Sequence, residues 1–383
     1  MKVILACGGT GGHIYPAVAI ADKIRQHNKN AEILFVGSSR GIENDIVRKA
    51  GYDITHIEMY GINRKNPFAN IRTAYYFLAS RKKAAKLIND FKPDFVIGTG
   101  GYQCYPPIYA AAKAGIPSAV HESNSIPGVA VRMVEKYVDR IYTNFPGLEE
   151  KLKYKEKVMR VGNPLVSENI IKADEKTRKT LGIPDNTEKI VLSFGGSRGA
   201  PAINEYMIKF ISEYAPKHKN ILFVHATGKN GYEISQNKLK ESHIDNLDNV
   251  RVLEYIYNMP LWEAAADAVI CRAGAMTISE MALGQKACIF IPSPYVAENH
   301  QYKNAKLLSD KEAAVLIEEK ELSTEKIKEN VEKILFDKSE SEKMKRNISA
   351  FALRGASEKI YKDMQKIISR DLFTLIKREE KER

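Results

Sequence analysis

The chain is poor in cysteine, in long apolar runs and, over its first half, in acid. Its four cysteines, Cys7, Cys104, Cys271 and Cys288, stand far apart and form no Cys-x-x-Cys pair. That spacing excludes a zinc ribbon or a disulfide framework and makes a reducing compartment the default. No uninterrupted apolar run approaches the roughly 18 residues that span a bilayer. Met1-Lys2-Val3-Ile4-Leu5 enters a strand pattern directly, so neither a membrane span nor a signal peptide is expected. Residues 1–163 hold 24 Lys+Arg against 14 Asp+Glu, whereas the remainder holds 35 against 33. The net charge of +12 therefore belongs mainly to the first half and favours anionic partners, nucleic acid or a membrane surface.

What the chain has is alternation. Its 383 residues suggest two domains. Lys2–Cys7, Glu32–Val36, Ile54–Glu58, Asp94–Gly98, Ser118–His121 and Arg140–Thr143 read as short strands separated by helical patterns such as Ile14–His27 and Phe68–Asn89. Val158–Pro164 reads as an edge strand running into a linker, because Pro164 blocks continuation. The pattern then restarts, with strands at Lys189–Phe194, Ile221–His225, Val250–Leu253, Ala268–Cys271, Ala287–Ile291 and Ala314–Ile317. Strands separated by helices of this length predict two similar α/β domains with parallel sheets. The expected division is 1–163, 164–350, a helix over 351–370 within a wholly helical stretch from Glu325 to Arg370, and a frayed charged tail, 371–383.

Small-residue turns follow several of these strands. Gly8-Gly9-Thr10-Gly11-Gly12-His13 closes the first strand and opens a helix, and Gly98-Thr99-Gly100-Gly101-Tyr102 ends the fourth. Such turns let a ligand approach the backbone; the plain alternative is a tight βα connection. A dinucleotide fingerprint is disfavoured, because Ile14 stands where the third glycine should be and the second strand ends Phe35-Val36-Gly37-Ser38, with no acid for a ribose. His13 sits at a helix N-terminus facing the crevice. His121-Glu122-Ser123-Asn124 brings a carboxylate to the same sheet edge. Either His13 or Glu122 could serve as a general base, the alternative for Glu122 being a helix-capping or salt-bridging carboxylate. In the second half, Gly195-Gly196-Ser197-Arg198-Gly199-Ala200 can bind phosphate through backbone N–H groups and the Ser197 hydroxyl. His225-Ala226-Thr227-Gly228-Lys229-Asn230 is rejected as a Walker A site, since Phe223 and Asn230 replace its first glycine and its Mg²⁺ ligand. The stretch Arg272-Ala273-Gly274-Ala275-Met276-Thr277-Ile278-Ser279-Glu280 carries a buried strand into an abrupt helix start. Unpaired N–H groups and the positive end of the helix dipole there suit a phosphate, and Glu280 lies one turn in, placed for sugar hydroxyls.

These pieces occur in one order: GGTGGHIYP from Gly8, GTGGY from Gly98, HESNSIPG from His121, VGNP from Val161, GGSRGA from Gly195, RAGAMTISE from Arg272 and ENHQYKNA from Glu298. Together, over about residues 1–368, they resemble the MurG family of N-acetylglucosaminyltransferases. The resemblance implies a GT-B architecture, with two Rossmann-like domains whose parallel sheets face a cleft and a final helix that crosses back to the first domain. It implies an inverting transfer of GlcNAc from UDP-GlcNAc to the muramoyl 4-hydroxyl of an undecaprenyl-diphosphate-linked acceptor, lipid I, with no metal and no cofactor. The chain has no Asp-x-Asp. Carried over by position, Thr10, Gly11, Gly12 and Asn124 contact the sugar nucleotide from one side. Ser197, Ile256, Ala275, Met276, Thr277, Glu280, His300 and Gln301 contact it from the other, while His13 comes before Glu122 as the base. Arg272 and the helix N-termini would stabilise the charge on departing UDP. Gly100, Gly101 and Tyr102 fall on the acceptor side. Three positions depart from the family: Val166 where Arg is usual, Arg198 within GGSRGA, and Gln103-Cys104-Tyr105 where small residues are usual.

Between Met59 and Asn89 there is no acid, while Arg64, Lys65, Arg72, Arg81, Lys82, Lys83 and Lys86 are interleaved with Ile71, Tyr75, Tyr76, Phe77 and Leu78. Part of such a helix must be a core stripe. The rest suits the interface of an anionic membrane, and no companion motif supports RNA. With the resemblance, the 64–86 stretch implies peripheral attachment to the cytoplasmic side of the cell membrane, with no nucleic acid. Cell-wall synthesis or division proteins remain open as partners. The alternatives are a related glycolipid glycosyltransferase with another acceptor, a UDP-GlcNAc 2-epimerase of similar architecture, and a non-catalytic membrane scaffold with a retained nucleotide pocket.

Overall fold

The computed structural model describes residues 1–60, 69–165, 171, 173–196 and 199–382. Arg64, Lys65, Val166, Ser197 and Arg198, and the side chains of Ile71 and Arg72, lie outside the described residues. The chain divides into two compact units, Met1–Glu168 with Leu353–Arg383, and Asn169–Ala352.

The first unit is built on β1 (Lys2–Cys7), β2 (Glu32–Gly37), β3 (Asp53–His56), β4 (Phe95–Gly100), β5 (Ser118–Glu122), β6 (Arg140–Thr143) and β7 (Val158–Arg160), in the order β3-β2-β1-β4-β5-β6-β7. All neighbouring pairs are parallel. The second unit repeats the plan with β8 (Lys189–Phe194), β9 (Ile221–Ala226), β10 (Val250–Leu253), β11 (Ala268–Cys271), β12 (Ala287–Phe290) and β13 (Val315–Leu316), ordered β10-β9-β8-β11-β12-β13 and again parallel. The strands expected from the sequence are present, with small differences at their ends.

The two-residue period of a strand explains why both faces of the first sheet are apolar. On β1, Val3, Leu5 and Cys7 pack toward helix Gly11–His27, while Ile4 and Ala6 join Ala84 and Ile88 of helix Ala69–Phe91 and Ile108 of helix Tyr105–Lys113 on the opposite face. The first of these cores also takes Ile360 and Met364, both fully buried, from the last helix, Ala356–Glu382. That helix carries Asp363 to Arg140, at 2.8 Å from its Nε, and to the Tyr142 hydroxyl at 3.1 Å. It also corrects two expectations. The stretch Glu325–Arg370 is three helices, Thr324–Phe336, Lys338–Ser349 and Ala356–Glu382, rather than one continuous pattern. The charged segment 371–382 continues the last helix instead of fraying, since it is rich in Leu, Lys, Arg and Glu, all good helix formers.

In each sheet the strand order reverses beside the first strand, between β1 and β4 and between β8 and β11. In open parallel sheets, ligands bind outside the carboxyl ends of the strands at such a reversal. The glycine turns lie at those two places.

Candidate active site

In the first unit, the turn after β1 delivers the chain into helix Gly11–His27 with Thr10 as its N-cap. Thr10 and Gly9 are exposed and Gly11 and Gly12 partly so, which leaves the start of the helix open on its N–H side. His13 turns back: its Nδ1 lies 2.9 Å from the Gly8 carbonyl. A carbonyl only accepts, so Nδ1 carries the proton, and in the neutral ring Nε2 is left with its lone pair. No described residue hydrogen-bonds to Nε2. The ring lies against Gly100, where φ is +126° and a Cβ would stand 2.3 Å from the His13 Cδ2. A side chain there would displace the imidazole. Thr99 Oγ1 donates to the His13 carbonyl at 2.7 Å. Burial lowers the His13 pKa below the ordinary histidine value, with the Gly8 hydrogen bond acting in the opposite sense, which keeps the ring neutral near pH 7. Thr10, Gly11, Gly12, His13, Gly100 and Gly101 are thus brought together at the β1/β4 reversal.

Glu122 lies at the end of β5 and is buried. Its Oε1 accepts from the Asn124 backbone N–H at 2.9 Å and side-chain amide at 3.0 Å, and its Oε2 accepts from the Gly128 N–H at 2.7 Å. The carboxylate therefore braces the loop that leads to helix Val129–Val134 and orients Asn124. His121 is a strut as well. Its Nε2 donates to the Gly162 carbonyl at 2.9 Å, and burial takes its pKa down to about 4. The departures Gln103, Cys104 and Tyr105 belong to the packing of this unit. Gln103 Oε1 would meet a Cβ at Gly8 at 2.7 Å, Cys104 Sγ donates to the Ala6 and Gly100 carbonyls, and Tyr105 stacks on Phe77 and Tyr109.

In the second unit, a cavity of about 440 Å³ lies at the β8/β11 reversal, lined among others by Gly195, Gly199, Gly274, Thr277, Tyr295 and Gln301. Helix Ala275–Leu283 is capped by Gly274, and Gly274 and Thr277 line this space, whereas Ala275 and Met276 are not among the lining residues. The glycine turn after β8 fits closely: at Gly199, φ is +77° and a Cβ would stand 2.0 Å from the Thr227 carbonyl oxygen. Gln301 accepts from the Ser293 N–H at 2.8 Å, and His300 Nδ1 lies 2.8 Å from the Ala297 carbonyl. Glu298 and Asn299, just before helix His300–Ser309, both have left-handed backbones, at φ 54° and 52°. Ile256 is buried on the loop after β10 and is not among the lining residues.

Glu280 keeps exposed surface, yet its carboxyl is raised to about 7 by loss of hydration. Glu263, on helix Met259–Ala265, is raised to about 8, first by burial and then by the Glu280 charge. Arg272 lines the cavity, donating to the carbonyls of Ile291 at 3.1 Å and Pro292 at 3.2 Å while ion-paired to Glu319. Its charge is thus partly engaged within the second unit. Glu319, Glu263 and the buried Glu43 of the first unit are residues the sequence reading did not single out. Nothing in the sequence around each marks it, and only the fold sets Glu319 against Arg272, Glu263 near Glu280 and Glu43 against the Gly8-Gly9 turn.

Among the described residues, no group of three or more His, Cys, Asp or Glu could hold a metal ion, and no helix is long and apolar enough to cross a membrane. Helix Ala69–Phe91 divides its faces. Ala84 and Ile88 are buried, and Tyr75, Leu78, Lys82 and Lys86 form an exposed stripe at helical spacing. Arg81 lies over the ring of Tyr109 at 3.8 Å.

Residues 3–143 match the N-terminal domain of glycosyltransferase family 28, and residues 190–360 match its C-terminal domain. A UDP-N-acetylglucosamine--N-acetylmuramyl-(pentapeptide) pyrophosphoryl-undecaprenol N-acetylglucosamine transferase of Thermoanaerobacter sp. (strain X514) is 41% identical over 370 residues, 96% of this chain and 100% of that one. A transferase of the same name from Halalkalibacterium halodurans is 41% identical over 94% of this chain and 98% of its own. Among solved structures, Acinetobacter baumannii MurG superposes with a TM-score of 0.76 at 25% identity, over 95% of this chain and 99% of that one. UDP-GlcNAc 2-epimerase from Neisseria meningitidis, solved with UDP-GlcNAc, gives 0.65 at 17% identity over 96% and 100%, which is a likeness of fold. With turns, cavity and relatives in agreement, the chain belongs to glycosyltransferase family 28, among the MurG N-acetylglucosaminyltransferases of peptidoglycan synthesis.

Proposed function

We propose that this protein transfers GlcNAc from UDP-GlcNAc to the 4-hydroxyl of the muramoyl sugar of undecaprenyl-diphosphate-linked MurNAc-pentapeptide, with inversion at the anomeric carbon. The observation that carries this reading is 41% identity, over almost the whole of both chains, to transferases of that name. The cavity at the β8/β11 reversal takes the UDP moiety. The first turn of helix Ala275–Leu283 and the Ser197 turn hold the diphosphate, Glu280 the ribose, the Ile256 backbone the uracil, and Gln301 with His300 the GlcNAc hydroxyls. Thr10, Gly11, Gly12 and Asn124 add contacts from the first unit, and Gly100, Gly101 and Tyr102 stand on the acceptor side. Val166 leaves the place of the usual Arg without a cation. The acceptor hydroxyl loses its proton to His13 Nε2 as it attacks, the C1–O bond to UDP breaks, and the helix N-terminus stabilises the charge on the departing diphosphate. His13 is favoured over Glu122 because no described residue hydrogen-bonds to its Nε2, whereas both Glu122 oxygens already accept from backbone N–H groups.

The exposed basic and aromatic stripe of helix Ala69–Phe91 supports peripheral attachment to an anionic membrane on the cytoplasmic face, where a lipid-linked acceptor resides. The test of function is UDP release from UDP-GlcNAc with and without a lipid I analogue, following the sugar. Acceptor-dependent release with GlcNAc β-linked to the muramoyl 4-position is the expected result. Donor binding with no transfer to that acceptor would overturn the acceptor assignment and leave the donor site standing. His13→Gln should lower kcat by about 10²–10⁴-fold, the usual worth of a positioned acid or base, with little change in the KM for UDP-GlcNAc.

A further inference from the structure

Glu43 is a fully buried carboxylate that the reaction as described does not use. It opens helix Glu43–Lys49, and its Oε1 accepts from the Ser38 N–H at 2.8 Å and the Ser38 hydroxyl at 2.7 Å. Its Oε2 faces the Gly9 N–H at 3.4 Å. Glycines make the room it occupies. A Cβ at Gly41 would stand 2.0 Å from Oε2, one at Gly37 2.6 Å from Cγ, and one at Gly8 3.1 Å from Oε1. Gln103 presses on Gly8 from another direction, its Oε1 2.7 Å from the same Cβ position. Gly8 is thus wedged between two side chains, and its carbonyl is the group that accepts from His13 Nδ1.

We infer that Glu43 is a positioning residue for His13: it fixes the Gly8-Gly9 turn so that the Gly8 carbonyl selects the imidazole tautomer with Nε2 unprotonated. This rests on the reading of His13 as the base. Two features argue for a carboxylate rather than any brace of similar size. Its three contacts are all donors, two N–H groups and one hydroxyl, and only an acceptor-only side chain meets all of them. A buried charge is also costly where a neutral tie would serve. Tautomer selection by the partner of the other ring nitrogen is a general property of histidine.

The decisive measurement is nitrogen-15 NMR of the histidine rings in the full-length protein, with the His13 signals identified by their loss in His13→Gln. In the native protein His13 should show a protonated Nδ1 and a bare Nε2. In Glu43→Gln, where an amide NH₂ must face donors, the signals should move toward a mixture of tautomers. Partners that orient a metal-ligating imidazole contribute about 10–100-fold; on that scale kcat should fall by about 10–100-fold in Glu43→Gln while the KM for UDP-GlcNAc changes little. In a His13→Gln background, Glu43→Gln should cause no further loss. A His13 ring with Nδ1 unprotonated in the native protein overturns the inference without any variant. So does a folded Glu43→Gln protein with unaltered ring signals. Should Glu43→Gln fail to fold, Ser38→Ala removes a single contact and should move the ring signals in the same direction. If His13→Gln keeps full kcat, the base assignment fails, and the ring signals of the Glu43 variant still decide whether Glu43 sets the tautomer.

Discussion

At the scale of single residues, chemistry depends on which polar atoms are already satisfied. His13 and Glu122 are both candidate bases at strand ends, with His13 placed first on resemblance. The fold uses both Glu122 oxygens inside the 122–128 loop, while no described residue hydrogen-bonds to His13 Nε2. Glu263 makes the same point for stability. Its carboxyl is raised to about 8, above the ordinary value of 4.5. A group whose folded pKa is raised in this sense is harmless below its unfolded pKa. It opposes folding increasingly as pH rises from about 4.5 to 8, because the unfolded chain ionises first. Glu263→Gln should therefore leave stability nearly unchanged at pH 4.5 and raise the urea midpoint at pH 8.5. An equal gain at both pH values would show that burial of charge is not the cause. The sequence could not reveal Glu43 or Glu263, since nothing in Gly41-Ile42-Glu43 marks a buried acid and nothing in Trp262-Glu263-Ala264 marks one that is poorly hydrated.

At the scale of elements, amphipathic pattern was legible and its partner was not. The last helix was expected to return to the first domain from resemblance alone. The apolar residues Ile360 and Met364 show how it does so, by completing the core beneath β1. Met364→Ala should cost about 2–5 kcal/mol, the usual range for truncating a fully buried methionine, seen as a lowered denaturation midpoint for the first unit. Helix Ala69–Phe91 shows two roles on one element, a core side at Ala84 and Ile88 and an exposed side at Tyr75, Leu78, Lys82 and Lys86. Each basic residue near an anionic surface contributes about 1 kcal/mol. Replacing Lys82, Lys83 and Lys86 by Gln should then weaken flotation with anionic vesicles by about 100-fold at low salt, with no effect on neutral vesicles. Undiminished flotation would place the membrane surface elsewhere.

At the scale of the whole molecule, the chain consists of two units, each with its own sheet and its own buried cores. A ligand stabilises the unit that binds it, by about 2.7 kcal/mol at a hundredfold excess over Kd. Calorimetry should therefore resolve two transitions, and UDP should raise the one belonging to Asn169–Ala352. A single transition that UDP raises as a whole would mean that the units unfold as one cooperative body.

The sequence by itself determined the class of fold, the strands, the parallel sheets and the positions of the glycine turns. These follow from local periodicity and from backbone conformations that few residues except glycine adopt readily. Gly100 and Gly199 carry positive φ and leave room for the His13 ring and the Thr227 carbonyl. Tertiary structure alone decided which side chains those turns would hold. The pairing of Arg272 with Glu319 and the approach of Glu43 to Gly9 join groups distant in sequence, whereas the tautomer of His13 and the occupation of Glu122 depend on near neighbours that only the folded turn and loop bring within hydrogen-bond distance. Hydrogen-bond satisfaction and loss of hydration are properties of a surrounding. A surrounding exists only once the sheet has placed the ends of β1, β2 and β4 side by side.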